Sequence, residues 1–139
     1  MLNYFRKEHG NSMTELALVF PFVLFLILGI ADVGRGFTTY IALVNASRES
    51  ARWISLHPTD IDGARARAFN EAASVNLGPG DITVSFVPDQ AQYQDGDIVE
   101  SRIDYSYPLL FNFLPGVHSL PMNVHQSMRV MYAPTEIVN

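Results

Sequence analysis

The stretch Leu16-Ala-Leu-Val-Phe-Pro-Phe-Val-Leu-Phe-Leu-Ile-Leu-Gly-Ile-Ala31 runs for sixteen residues without a charge or a strongly polar side chain. As a helix it rises about 24 Å, at about 1.5 Å per residue. A hydrocarbon core is about 30 Å thick. Met13 and Thr14 before the run, and Val33 to Phe37 after it, extend it to the two interfaces, and a short span also thins the bilayer locally. The competing reading is a helix buried in a soluble core, which requires a small domain to surround it on every side. The run therefore reads as a membrane span, with Leu16, Pro21, Gly29 and Ala31 inside it.

Its flanks set an orientation. The nine residues before Gly10 contain Arg6 and Lys7 against one acid, Glu8. An excess of basic residues marks the cytoplasmic side. The chain beyond about residue 35 then lies on the far side, which in a bacterium is the periplasm or the cell exterior. Arg35, Arg48 and Arg52 also lie there and weaken the signal. Two other targeting readings use the same pattern. One is a secretory signal peptide cut at Gly29-Ile30-Ala31, leaving Asp32 as the first residue. Glu15 at the apolar edge, and a helical pattern that continues past the site, oppose it. The other is a plain signal anchor.

The helical pattern outlasts the span. Phe37, Tyr40, Ile41, Val44, Ala51 and Ile54 fall on one stripe at helical spacing. The first breaker is Pro58, so one helix is expected from about Met13 to about Leu56, about 65 Å long. Pro21 lies inside it and predicts a kink near Phe20, which membrane helices tolerate. Thr38, Ala42, Ala46 and Ser50 form a row of small residues at four-residue spacing. Such a row either admits the backbone of a second subunit, making Ala42 and Ala46 subunit contacts, or seats the stalk on its own sheet. Asp32 and Arg35 are spaced to form an ion pair within the helix.

Beyond Pro58 the chain reads as a small α+β head. Thr59 or Asp60 can cap a helix from about Ile61 to Val75, with Phe69 as its one large apolar residue and Gly78-Pro79-Gly80 as its stop. Ile82, Val84 and Phe86 alternate with Thr83, Ser85 and Val87. Asp95-Gly96 signals a turn. Val99, Ser101, Ile103, Tyr105 and Tyr107 alternate with Glu100, Arg102, Asp104 and Ser106 in a long half-buried strand. Met122, Val124, Gln126, Met128, Val130 and Tyr132 mark a last one. Three antiparallel strands are expected in one sheet, with an apolar face that the stalk helix covers. Between the last two strands lies Pro108-Leu-Leu-Phe-Asn-Phe-Leu-Pro115, with five large apolar residues. It either folds over one end of the sheet or forms an exposed patch awaiting a partner.

Composition excludes several function classes. A chain of 139 residues holds one domain, and 48% hydrophobic residues exclude disorder as its main state. With zero Cys there is no disulfide scaffold, thiolate zinc site or cysteine nucleophile. A net charge of −5 argues against a nucleic-acid partner, which needs a basic face. His9, His57, His118 and His125 have no metal-ligand spacing, and no phosphate loop, nucleophile elbow or paired-carboxylate motif is present. Asp95-Gly96-Asp97 lacks the ligand spacing of a calcium loop and reads as a solvated turn. No catalytic residue, cofactor, metal or small-molecule substrate is expected.

The informative constellation is Arg6-Lys7-Glu8-His9-Gly10-Asn11-Ser12-Met13-Thr14-Glu15 ahead of the apolar run. A short hydrophilic leader ends in Gly, an acid follows five residues later, and a hydrophobic helix begins. This resembles a type IV prepilin signal, a class in which a membrane prepilin peptidase cuts after the Gly, here between Gly10 and Asn11. Cutting frees an α-amine on Asn11 and leaves Glu15 as a costly charge at the membrane edge. In a pilin-type assembly that Glu pairs with the amine of a neighbour and sets register, and loss of either partner strands the other. Glu15 is equally placed as an ordinary first-turn acid favoured by the helix dipole.

Gly10 to Trp53 resembles the TadE-like family, small pseudopilins of the tight-adherence (Tad, or Flp) pilus machinery. The resemblance rests on Gly10, Glu15, the run ending at Pro21, Gly29, Asp32, Gly34-Arg35 and Asn45-Ala46-Ser47-Arg48-Glu49-Ser50-Ala51-Arg52. The Gly96-Asp97 turn and late Met128-Arg129 are also similar but less diagnostic, and Glu8 departs from a purely basic leader. The resemblance implies a minor pilin that helps initiate or stabilise a pilus in the inner membrane, without catalysis. Its implied partners are the lipid bilayer, the prepilin peptidase, the major pilin, a sister pseudopilin, a platform and an ATPase. Arg48, Glu49 and Arg52 become candidates for ion pairs between subunits. The chain then divides into a leader (1–10), a transmembrane segment (11–36) and a periplasmic stalk and head (37–139). The alternatives are a signal-anchored periplasmic binding or scaffold domain unrelated to pili, and a small secreted hydrolase.

Overall fold

The computed structural model describes residues 8–111 and 116–131, with side chains from Ser12 onward. Its first element is a single helix, α1 (Glu8–Leu56), of 49 residues with Pro21 inside it. It ends where expected and starts five residues earlier than Met13. Elongating an existing helix needs no new nucleus, and one Gly in it costs only about 1 kcal/mol. The end is enforced by Pro58, which lacks an N–H and disfavours helix in the residue before it. The N–H of His57 still reaches the Trp53 carbonyl at 2.9 Å.

The chain divides into two compact units that part between Arg35 and Gly36. The described part of the first is α1 as far as Arg35, and its large apolar side chains are exposed, Phe22 at 73% among them, except for Leu28, which is half-buried. The second carries the rest of α1, a helix α2 (Ile61–Ala72) tightening into a 3-10 turn (Ala73–Val75), and three strands, β1 (Ile82–Val87), β2 (Ile98–Pro108) and β3 (Ser119–Arg129). The sheet is antiparallel with order β1-β2-β3. This is the α+β arrangement that the alternation of the strands predicts.

α2 starts at its expected cap: the Asp60 carboxylate accepts the Gly63 N–H at 2.9 Å. Its stop differs from expectation. Asn76, not the Gly78-Pro79-Gly80 segment, takes the left-handed conformation at φ 60, a conformation that Asn tolerates better than most side chains. β3 also differs from a strand over Met122–Tyr132. β2 runs on through Pro108 and pairs it with Ser119, so β3 begins earlier. At its other end the register runs one step past Arg129: the Val130 N–H donates to Asp97 O at 2.8 Å, so Val130 keeps its expected place in the alternation although β3 is bounded at Arg129. Tyr132 lies outside the described residues. β3 is an edge strand and holds Pro121.

The core lies on the sheet face formed by Val84, Phe86, Val99, Ile103 and Val124, with Leu43, Ala46 and Ile54 of α1 and Ala64, Ala68 and Ala72 of α2 packed against it. The stripe expected to cover the sheet is therefore corrected in part. Ala51 and Ile54 are buried, but Phe37, Tyr40 and Ile41 are exposed, and Val44 is half-buried. The inward face is instead Thr39, Ala42, Leu43, Ala46, Ser47, Ser50, Ala51 and Ile54. The physical reason is space. The sheet and its flanking loop bring large side chains, Tyr93 among them, and close packing then requires small residues opposite.

Candidate functional site: the outer surface of the long helix

Glu15 and the apolar residues from Leu16 to Ile27 are exposed on α1, as is Ala31, while Gly29 is half-buried. Pro21 is accommodated without ending the helix. Gly10 and Asn11 lie within the bounds of α1, and the basic pair Arg6 and Lys7 lies outside the described residues. One helix in the described residues is long and apolar enough to cross a membrane, and it is this one.

Five charged residues on α1 lie beyond the apolar run: Asp32, Arg35, Arg48, Glu49 and Arg52. Asp32 is 3% exposed, and its carboxylate lies 3.9 Å from the Arg35 guanidinium. Several turns further on, Glu49 and Arg52 pair at 3.7 Å. Exposed pairs at this spacing contribute about 0.3–0.5 kcal/mol, too little to fix a fold. Arg48 is exposed, and among the described residues no ion pair engages it. Ala42 and Ala46 are buried within their own head, at 7% and 0% exposure. The row of small residues is thus seated on the chain's own sheet, and only its first member, Thr38, is exposed. As subunit contacts Ala42 and Ala46 are covered in this structure.

Two polar clusters were not singled out by the sequence reading. Inside the head, Ser47 donates to the Ser101 carbonyl at 2.8 Å, and the Ser50 and Ser101 hydroxyls lie 2.5 Å apart. These bonds pin α1 to β2 through side chains with no unsatisfied polar atom. Their signal in the chain is Ser101 at an inward strand position. At the top of α1, the Trp53 indole N–H donates to Asp60 at 2.9 Å. The same ring stacks on His57, at 4.1 Å between centroids, and carries the Arg67 guanidinium 4.3 Å from its centre. The Trp53 and Gly63 N–H groups hold the Asp60 carboxyl below its ordinary pKa. Its sequence signal is Asp60-x-x-Gly63 after a Pro.

Tyr93 is buried and donates its hydroxyl to the Pro88 carbonyl at 2.6 Å; burial raises its pKa. On the outer sheet face the Arg102 guanidinium, 2.6 Å from Glu100, holds that carboxyl down. Two open polar hollows mark the head, about 450 Å³ beside Asp60, Asp62, Arg65 and Asp89, and about 440 Å³ over Glu100, Arg102, Asp104 and His125. Neither is the apolar, enclosed kind that takes a small ligand. Among the described residues no group of three or more His, Asp or Glu side chains could hold a metal.

The family model described as TadE-like protein matches residues 10–52. The match covers the apolar run and the stalk as far as Arg52, and leaves α2 and the sheet outside it. No curated protein and no solved structure matches the chain.

Proposed function

We propose that the chain is a minor pilin or pseudopilin of a Tad-type pilus, held in the bacterial inner membrane by α1 with its head in the periplasm. The observation that carries this reading is a coincidence of position. The TadE-like match begins at Gly10, and an exposed apolar helix surface begins directly after Glu15. An apolar helix surface of that length is unstable in water and stable in lipid. TadE-like proteins are not an enzyme family.

In this reading the prepilin peptidase cuts between Gly10 and Asn11, and Glu15 meets the new amine of a neighbouring subunit. Arg48, with no ion pair of its own among the described residues, is the first candidate for an acid on that neighbour, and the Glu49–Arg52 pair can exchange partners on assembly. The other pilins and the inner-membrane platform are the partners. N-terminal sequencing of the purified protein tests the reading: Asn11 supports it, Met1 indicates a plain anchor, and Asp32 a secreted form. Gly10→Leu should block the cut while the chain still inserts. Glu15→Ala should leave the head folded and lower piliation; unchanged piliation removes the register role.

A further inference from the structure

Most Gly residues in a fold answer to a steric demand. Gly96 and Gly116 take positive φ, at 87 and 85, and Gly63 has a carboxylate oxygen where its Cβ would lie. Gly34 and Gly36 answer to neither cause. Both lie inside α1, and neither has a positive φ. A Cβ on Gly34 would meet nothing within 4 Å, and one on Gly36 would rest 3.5 Å from Tyr107 and 3.7 Å from Met122. Those are ordinary contact distances between carbon atoms, so Ala fits at both positions. Each Gly disfavours helix about four- to fivefold relative to Ala, because it has more conformational freedom to lose. Two residues apart, α1 thus carries a combined weakness of about twentyfold that neither packing nor backbone conformation requires.

The weakness falls at a particular place. The two compact units of the chain part between Arg35 and Gly36. C-terminal to the pair, α1 is held along its length by the head. Gly36 lies against Tyr107, Ser47 donates to the Ser101 carbonyl at 2.8 Å, and the Ser55 carbonyl accepts the Met131 N–H at 2.9 Å. N-terminal to the pair, Ile30 at 65% and Val33 at 73% are exposed, Asp32 at 3% being the exception. A helix opens most readily where its support thins and its propensity is lowest, and sharp bends in helices gather at Gly.

We propose that Gly34 and Gly36 form a hinge: α1 opens reversibly at this pair, and the head and the apolar segment turn on it as two bodies. In the anchor reading above, the hinge lets a head reorient towards its neighbours while the apolar segment stays in lipid. That consequence rests on the anchor reading; the hinge itself does not.

The chain has no Cys, so introduced pairs carry spin labels cleanly. The full-length protein is reconstituted in vesicles of phosphatidylethanolamine and phosphatidylglycerol. One labelled pair, Phe22→Cys with Ser127→Cys, crosses the hinge; another, Glu71→Cys with Ser127→Cys, lies within the head. Phe22 follows Pro21, so a kink at Pro21 does not enter the first distance. Dipolar spectroscopy should give a distribution several times broader across the hinge than within the head. Gly34→Ala with Gly36→Ala should narrow it to about the width within the head, and should slow amide exchange over residues 33–40 about twentyfold. A parent distribution already as narrow as that within the head overturns the hinge. A double variant that keeps both the breadth and the exchange rate overturns it as well, and places the bending elsewhere. Loss of self-association in the double variant, at unchanged breadth, would assign the two Gly residues to close packing against a second copy and also overturn it. Access of aqueous nickel to the label at position 22 would remove the anchor reading, while the breadth across the pair still decides the hinge.

Discussion

Gly63 sits where no side chain fits. A Cβ there would lie 2.0 Å from the Asp60 carboxylate and 2.7 Å from the Trp53 indole nitrogen. The indole has little room to retreat, being stacked on His57 and covered by Arg67. Gly63→Ala gains about 1 kcal/mol of helix propensity, yet overpacking of this kind costs about 1–3 kcal/mol. We expect a net loss of stability, read as a lower urea midpoint. A second expectation concerns acid. The Asp60 carboxyl is held below its ordinary value near 3.8, first by Trp53 and then by Gly63. A carboxyl depressed by folding stabilises the fold above its unfolded pKa, and that contribution fades as pH falls through the folded one. Trp53 is the only Trp, so its fluorescence should change in step with Asp60 protonation below about pH 4. Asp60→Asn should remove that change; a transition that persists in the variant would assign it elsewhere.

At the scale of elements, the question is which side of α1 faces the sheet. Ala46 is fully buried and Phe37 mostly exposed, although size alone ranks them the other way. Ala46→Leu should therefore destabilise the head by about 1–3 kcal/mol, while Phe37→Ala should stay within about 0.5 kcal/mol of the parent. Chemical unfolding of the detergent-solubilised protein, followed through Trp53, compares them; a reversed order would place the other face inward. The strands are legible because alternation with period two leaves a single choice of inward face. Val99, Ser101, Ile103 and Tyr107 are all buried on it. The stalk is less legible. A helix that carries apolar residues on two sides has two candidate faces, and the choice is made by the bulk of the sheet, which the helix sequence does not contain.

For the molecule as a whole, the proposed anchor would depend on an uninterrupted apolar surface. A Lys near the middle of a span opposes insertion by about 3 kcal/mol. Leu24→Lys with Leu26→Lys should move the protein from the carbonate-resistant membrane fraction to the soluble fraction or to degradation. Retention of the double variant in the membrane would mean that something other than this helix holds it there. The span is legible in the chain for a simple reason: lipid tolerates no charge over a fixed thickness, so length and composition suffice. The assembly residues are harder. Glu15, Arg48, Glu49 and Arg52 would act on a neighbour, and what a neighbour supplies leaves no trace in one chain's periodicity. The family match over residues 10–52 spans all four of these positions.

The margin of the sheet carries one more consequence. Proteins tethered in a bilayer diffuse in two dimensions, and copies collide more often than they would in solution. β3 is an edge of eleven residues, long enough to tempt a passing sheet into joining it. Pro121 offers no N–H to such a visitor and interrupts the row of donors near the start of the strand. If the proposed anchoring holds, crowding at the membrane would bring heads together often without letting their sheets fuse into runaway stacks.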